Sequence, residues 1–123
     1  MIKSKQLIIE VKHLVENNFQ DPDFNVNKLC YFIKVSRASI YRKMIHQCQC
    51  SPQEFIEDIR LERAKKKILE EDCVIKEIAY EVGFSDPKYF SKRFKQKYLI
   101  SPSEYRKKVF CLMNNSQVAL IDN

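Results

Sequence analysis

Apolar residues recur at helical spacing through most of this chain. In residues 6–19 they stand three or four positions apart, which places them on one face of an amphipathic α-helix. An Asp-Pro-Asp sequence at residues 21–23 interrupts the pattern, and Asn25 or Asn27 can then cap a second helix by accepting a backbone N–H. The beginning of the chain therefore predicts two helices separated by a short break.

Capping residues mark the beginnings of four later helices. Each follows a serine or aspartate whose side chain can accept a backbone N–H, and in three of them proline takes the first helical position. The four capping residues are Ser36, Ser51, Asp86 and Ser101. One further apolar segment ends at Gly83, and glycine suits a helix end because it readily adopts a left-handed conformation. The later helices predicted are residues 36–47, 51–71, 75–82, 86–98 and a short helix from 101.

Composition supports an all-α protein. One glycine and four prolines are too few for the many turns of a β-sandwich. The polar start is unlike a secretory signal, and no apolar run reaches membrane-spanning length. Five cysteines without paired spacing are typical of a reducing compartment. We therefore expect a cytoplasmic protein with about seven helices.

Two segments of the chain repeat each other at an offset of 50 residues. Residues 36–52 and 86–102 each open with a capping residue, carry two apolar residues four positions apart, and end at Ser-Pro. The residues upstream also align, at an offset of 49, so each unit has the helix, tight turn and helix of a helix-turn-helix motif. The apolar residues, which helical spacing predicts to be buried, are Ile40, Met44, Phe90 and Phe94.

Positive charge is concentrated on the repeated segments. Net charge is +6, yet residues 36–48 alone carry +3 and residues 87–98 carry +5, with no acidic residue in either range. Two basic regions at matching places suit a polyanion such as double-stranded DNA, whereas the alternative interpretation is two solvated helix faces.

An α-helix fits the major groove of DNA, so the faces opposite the buried pairs are candidates for reading bases. Arg42 and Lys92 occupy the same position in the two repeats. Arginine is the stronger specific reader, because its fork can bind O6 and N7 of guanine together. The predicted base-reading residues are Arg37, Ala38, Tyr41, Arg42, Pro87, Lys88, Ser91 and Lys92.

Other polar residues of the repeats are better suited to phosphates. Phosphate contacts position a protein on DNA but carry no sequence information directly. The predicted phosphate-contacting residues are Ser36, Lys43, Arg93, Lys95 and Lys97.

The second repeat has a recognisable family signature. Residues 78–95, followed by the Ser-Pro-Ser-Glu-Tyr-Arg sequence at 101–106, closely resemble the signature of the AraC/XylS family of bacterial transcription regulators. Residues 60–69 are similar to that family's central helix. The resemblance covers about residues 7–108 and implies two helix-turn-helix subdomains, joined by a long helix, that read two successive major-groove segments.

The resemblance also implies a domain organisation. Residues 21–24 and 39–43 are most similar to the C-terminal output domains of hybrid two-component regulators from Bacteroidetes. We therefore expect an output module that dimerises, if at all, through domains absent from this chain, and the alternative is a small stand-alone regulator. The expected units are a first subdomain at 6–50, a linker helix at 51–72, a second subdomain at 73–108 and a tail at 109–123.

Three turns depart from the family pattern. Gln49 and Leu99 stand where the family usually has glycine, and Lys34 stands where the second unit has Gly83. A non-glycine residue in a left-handed conformation costs on the order of 1 kcal/mol. Either these turns differ from those of the family, or the strain is tolerated.

Rival classes of function find little support in the residues. His46, Cys48 and Cys50 stand at alternate positions, but zinc sites usually have four ligands in paired spacings, so we expect no metal and no cofactor. A single glycine leaves no phosphate-cradling loop, and no histidine pairs with a nucleophile, so we do not expect an enzyme. The remaining alternative is an interaction module whose basic helices bind an acidic partner such as RNA polymerase, which is also a candidate second partner of a DNA reader.

Overall fold

The computed structural model describes residues 4–70 and 72–122, with side chains at 6–70 and 72–114. Within that part of the chain every regular element is an α-helix, which confirms the predicted all-α class. The helices are α1 (Ser4–Asn18), α2 (Val26–Ile33), α3 (Arg37–Cys48), α4 (Pro52–Glu70), α5 (Ile75–Glu81), α6 (Pro87–Tyr98) and α7 (Pro102–Asp122).

The long helix α4 stands between two groups of helices. On one side α1 packs against α2 and α3, and on the other α6 packs against α5 and α7. Helix α4 contacts α1 and α3 of the first group and all three helices of the second. It is therefore the common support against which both repeated units are held.

The predicted apolar pairs of the two repeats are buried. Ile40, Met44, Phe90 and Phe94 have no exposed surface, which confirms that these faces of α3 and α6 turn inward. The ring of Phe90 lies 5.2 Å from that of Phe84 and 5.9 Å from that of Phe94, measured between centroids. Full burial of such side chains stabilises a fold by about 1.5–3 kcal/mol each, so the cores of the two units set the orientation of α3 and α6.

The caps form largely as the sequence indicates. Asn25, rather than Asn27, caps α2, and its side chain accepts the backbone N–H of Lys28 at 3.0 Å. Ser36 caps α3 and Asp86 caps α6 in the same manner. Caps of this kind contribute about 1 kcal/mol each and fix where the helices of the two repeats begin.

Left-handed backbone is retained at the three turns that lack glycine. Lys34, Gln49 and Leu99 have φ values of 62°, 57° and 70°, and they end α2, α3 and α6. The backbone N–H of Leu99 donates to the Lys95 carbonyl at 2.8 Å, and the other two turns have equivalent bonds. The turns thus keep left-handed geometry and tolerate the strain.

The prediction of a short seventh helix is wrong. Helix α7 continues through most of the expected tail, to Asp122. The sequence contains neither glycine nor proline after Pro102, so no residue forces the helix to end, even though residues 109–114 lack a regular apolar period.

No helix in the described ranges combines the length and apolar character that crossing a lipid bilayer requires.

A buried arginine connects α4 to the loop between α1 and α2. Arg60 is 8% exposed, and its guanidinium donates to the carbonyl oxygens of Phe19, Asp21 and Phe24, each at 3.0 Å. Burial lowers the pKa of this guanidinium, although the negative charges of Glu57 and Asp21 oppose the effect. Three carbonyl acceptors in a largely dry environment hold the loop firmly on α4.

The region around Arg60 also contacts the second unit. Gly83 has a φ of 100°, and a Cβ atom there would lie 2.0 Å from the carbonyl oxygen of Phe19 and 2.8 Å from Nε of Arg60. Only a residue without a side chain allows the α5–α6 turn to approach so closely. Phe19, Arg60 and Gly83 therefore form a junction between the two units, which we call the Arg60 junction.

Replacing Gly83 with alanine should lower the free energy of unfolding by about 3 kcal/mol or more, because the new Cβ meets backbone and the left-handed conformation becomes strained. Urea denaturation followed by circular dichroism measures this. Ser85→Ala, two residues later at an exposed site, is the control and should change stability little. A Gly83→Ala protein as stable as the unmodified chain would contradict the close approach.

Replacing Leu99 with glycine should raise the free energy of unfolding by about 0.5–1 kcal/mol, since the left-handed strain is relieved and part of the gain is lost to chain entropy. Leu99 is 82% exposed, so little packing is lost. Leu99→Ala removes the same side chain but keeps the Cβ, and it should give no gain. Equal melting temperatures for the glycine and alanine variants would show that the turn is unstrained.

Candidate nucleic-acid interface

The outer face of α3 is opposite its buried residues. At 3.6 residues per turn, a stripe four and then three positions apart lies on one side of a helix. Ala38, Arg42 and Ile45 form such a stripe, and all three are exposed. We call these residues the α3 stripe. Tyr41 and His46 flank it and are also exposed.

The corresponding face of α6 carries only lysines. Lys88, Lys92 and Lys95 are exposed and occupy positions 50 residues after those of the α3 stripe. We call these residues the α6 stripe. Lys95, for which we predicted a phosphate contact, therefore lies on the same face as two predicted base readers.

The remaining predicted base readers are either partly buried or already hydrogen-bonded within the fold. Pro87 and Ser91 are partly buried where α6 begins. Arg37 is exposed, but its guanidinium donates a short hydrogen bond to the side chain of Asn27, which ties the beginning of α3 to α2. Arg37 therefore has a structural partner that its position in the sequence did not indicate.

Among the predicted phosphate contacts, Ser36 is exposed, and its hydroxyl accepts the backbone N–H of Ser39 at 3.2 Å. Lys43 is partly buried on the side of α3. Ser36 retains its hydroxyl proton for donation, so the cap and a phosphate contact are compatible.

Arg93 and Lys97 do not face outward. Nε of Arg93 lies 2.9 Å from the Glu57 carboxylate, and Nζ of Lys97 lies 3.4 Å from Asp58 and 3.8 Å from Glu62. These carboxylates belong to α4, which α6 packs against. These two cations already pair with acidic side chains within the fold, and their phosphate contacts stay a prediction.

One carboxylate of α4 holds a full turn of α6. Glu57 is only 7% exposed, and its two oxygens accept hydrogen bonds from the Tyr89 hydroxyl at 2.6 Å and from Arg93 at 2.9 Å. Tyr89 and Arg93 stand four positions apart, so both reach the same group. We call this arrangement the Glu57 latch.

The pKa values of the latch residues follow from their surroundings. Burial, followed by the hydrogen bond to Glu57, raises the pKa of the Tyr89 hydroxyl. For Arg93, burial lowers the pKa, but the hydrogen bond and negative charge of Glu57 outweigh it and raise the pKa overall. Tyr89 therefore stays a neutral donor and Arg93 a cation at neutral pH.

The latch could not be found from the sequence alone. Glu57 precedes Tyr89 by 32 residues and Arg93 by 36. The available signal was an acidic residue beside the apolar stripe of α4, which does not identify a partner.

Cys48 is the last residue of α3, and Cys50 follows it by two positions. Burial, together with Cys48 and nearby carboxylates, raises the pKa of the Cys50 thiol to about 11, so it is protonated at neutral pH. His46 is exposed. Within the described ranges no group of histidine, cysteine and acidic side chains is placed to hold a metal ion.

Comparison with known proteins identifies the family. Residues 29–108 match the family described as "Helix-turn-helix domain". The chain belongs to the AraC-type helix-turn-helix family. As a member, it is a DNA-binding domain of the transcription-regulator type, and the family resemblance seen in the sequence is confirmed.

Two curated relatives each contain a region similar to this chain. The chain is 36% identical over 102 residues to "Histidine kinase P4" of Formosa agariphila, covering 83% of this chain and 7% of that protein. It is 32% identical over 97 residues to "HTH-type transcriptional regulator MtrA" of Neisseria gonorrhoeae, covering 77% of this chain and 32% of that protein. The chain thus spans a third or less of the length of these relatives.

A solved structure shares the fold. It is a transcriptional regulator from Chromobacterium violaceum described as an AraC-type DNA-binding domain-containing protein, with a TM-score of 0.78 and 26% identity. The match covers 85% of this chain and 93% of that one. The arrangement of helices described above is therefore that of the family.

Replacing Glu57 with glutamine should lower the free energy of unfolding by about 1–3 kcal/mol, because Arg93 loses the nearer and more buried of its two acidic partners. Chemical denaturation monitored by circular dichroism is the measurement. The matched control is Glu62→Gln, since that ion pair is long and exposed and should contribute at most about 0.5 kcal/mol. Equal losses for the two variants would show that the latch adds nothing beyond a surface ion pair.

Proposed function

We propose that this chain binds double-stranded DNA by placing α3 and α6 in two successive segments of the major groove. The observation that supports this proposal most directly is the match between the α3 and α6 stripes. Both stripes are exposed, both lie opposite buried apolar pairs, and they occupy equivalent positions in the repeat. A helix with one side fixed in a core and the other side free is the form in which a recognition helix enters the groove.

The free cations support a polyanionic partner. The side chains of Arg42, Lys88, Lys92 and Lys95 have no hydrogen bond or ion pair elsewhere in the described part of the chain. Their charge is therefore available to phosphates or bases, and counterion release would contribute to binding. Arg93 and Lys97, which the fold already neutralises, are left out of this set.

We propose the same division into base contacts and phosphate contacts that the sequence predicts, with some residues removed. The proposed base contacts are Ala38, Tyr41, Arg42, Lys88, Ser91 and Lys92, and the proposed phosphate contacts are Ser36, Lys43 and Lys95. Arg37 and Pro87 are proposed only as supports at the beginnings of the reading helices. Residues 6–50 and 73–108 would be the two reading units, and 51–72 the linker helix between them.

We further propose that the chain is the output module of a larger, signal-responsive regulator and acts by binding rather than by catalysis. The similarity to a small part of a histidine kinase supports this, whereas a stand-alone regulator is the alternative. A role on chromosomal DNA would place it in the cytoplasm. Contacts with RNA polymerase, and dimerisation through other domains, remain predictions.

Selection of bound duplexes from a random pool tests the proposal. We expect a site whose contacted segments lie about one helical turn, roughly 10 base pairs, apart. Affinity should fall with salt, with a log–log slope of about −0.9 for each phosphate contact, while preference for the selected site over random duplex persists. A scrambled duplex of the same length is the control. No preference at any salt concentration would favour the interaction module that binds an acidic protein.

A further inference from the structure

The two outer stripes occupy equivalent positions but have different chemistry. The α3 stripe has one arginine between two apolar residues, Ala38 and Ile45, whereas the α6 stripe has three lysines. Guanidinium forks and apolar groups discriminate between base edges, while ammonium groups act mainly as point charges. Equivalent placement therefore does not imply equivalent readout.

On α6 the groups capable of paired hydrogen bonds are already in use. Arg93 is the single arginine of this helix, and Glu57 and Asp58 of α4 bind its guanidinium. Gln96 is exposed, but its side-chain carbonyl accepts a hydrogen bond from Nη1 of Arg93 at 3.1 Å. Arg93 thus lies outside the α6 stripe, on the side of α6 that packs against α4, and engages the carbonyl of the neighbouring amide.

On α3 an arginine of the outer stripe is free. The guanidinium of Arg42 has no partner among the described residues, so both of its N–H edges can reach O6 and N7 of a guanine. Ala38 and Ile45, one turn to either side, offer methyl groups of the kind that contact the 5-methyl group of thymine. Tyr41 adds an exposed ring on the same helix.

We infer that the two helices divide the work: α3 reads the sequence, and α6 supplies charge with little base preference. The sequence-specific part of the target is a segment with a guanine under Arg42 and thymines on its flanks. The segment under α6 is degenerate, because Lys88 and Lys92 approach its bases as point charges without strong preference and Lys95 contacts phosphate. The inference rests on the proposed binding of duplex DNA.

Isocharge exchanges provide a direct test. The duplex selected by the unmodified chain and a scrambled duplex are titrated with Arg42→Lys, Arg42→Ala, Lys92→Ala and Lys92→Arg variants at several salt concentrations. Both Arg42 variants should lose about 10- to 100-fold in affinity for the selected duplex and far less for the scrambled one. Arg42→Lys is decisive, because it keeps the charge and removes only the fork.

The α6 variants should behave differently. Lys92→Ala should weaken both duplexes by the same factor and reduce the salt slope by about 0.9, while Lys92→Arg should leave the slope unchanged. Lys12→Ala, at an exposed site on α1 outside both stripes, is the control for loss of one positive charge. Thermal melting should show all these exposed-site variants folded.

The outcomes distinguish a failure of this inference from a failure of the proposal that the chain binds duplex DNA. If a Lys92 variant loses the base preference in one segment while Arg42→Lys keeps every preference, the division of work between the helices is wrong. The proposal that the chain binds DNA is unaffected by that result. Absence of salt-dependent binding to any duplex by the unmodified chain overturns both. Loss of the guanine preference in Arg42→Lys alone supports the inference.

Discussion

The structure depends on one buried guanidinium and the glycine above it. Arg60 lies in the middle of α4, and its guanidinium donates to three carbonyl groups of the α1–α2 loop, of which that of Asp21 also accepts the backbone N–H of Phe24. A buried arginine destabilises a fold unless its donors are satisfied, so this group is fixed in position rather than free to adjust. Because Gly83 touches Phe19 and Arg60 at the same point, the first unit, the linker helix and the second unit meet within a few atoms. The relative placement of α3 and α6 follows from this contact.

The second reading helix is held by charge as well as by its aromatic core. Acidic side chains of α4 bind Arg93 and Lys97 along one side of α6, and Glu57 additionally holds Tyr89. As a result, cations that form a basic patch in the sequence are paired with acidic side chains of the same fold. Net charge on a segment therefore overstates the charge available to a partner wherever a helix with acidic residues packs alongside.

Local signals were sufficient to predict the helices and the buried pairs. Capping at Ser36 and Asp86, and the four-residue spacing of Ile40 with Met44, act within one or two helical turns, so a single sequence contains them. Long-range pairings were not accessible in this way. The hydrogen bonds from Arg93 to Glu57 and from Arg60 to the α1–α2 loop each join residues more than 30 positions apart. Nor could the sequence show whether Leu99 would adopt left-handed backbone, because strain at a turn depends on the packing that opposes it.

A repeat that is joined by a single helix cannot be symmetric about that helix. Helix α4 meets the first unit through Arg60 and its neighbouring apolar residues, and it meets the second through Glu57 and Asp58. The two repeats therefore experience different electrostatic surroundings even where their own residues correspond. Arg93 on α6 is bound by acidic side chains of α4, whereas Lys43, its counterpart on α3, has no such partner among the described residues. The connection through α4 therefore makes the flanks of the two reading helices different, while the difference between the two outer stripes lies in the residues that they carry.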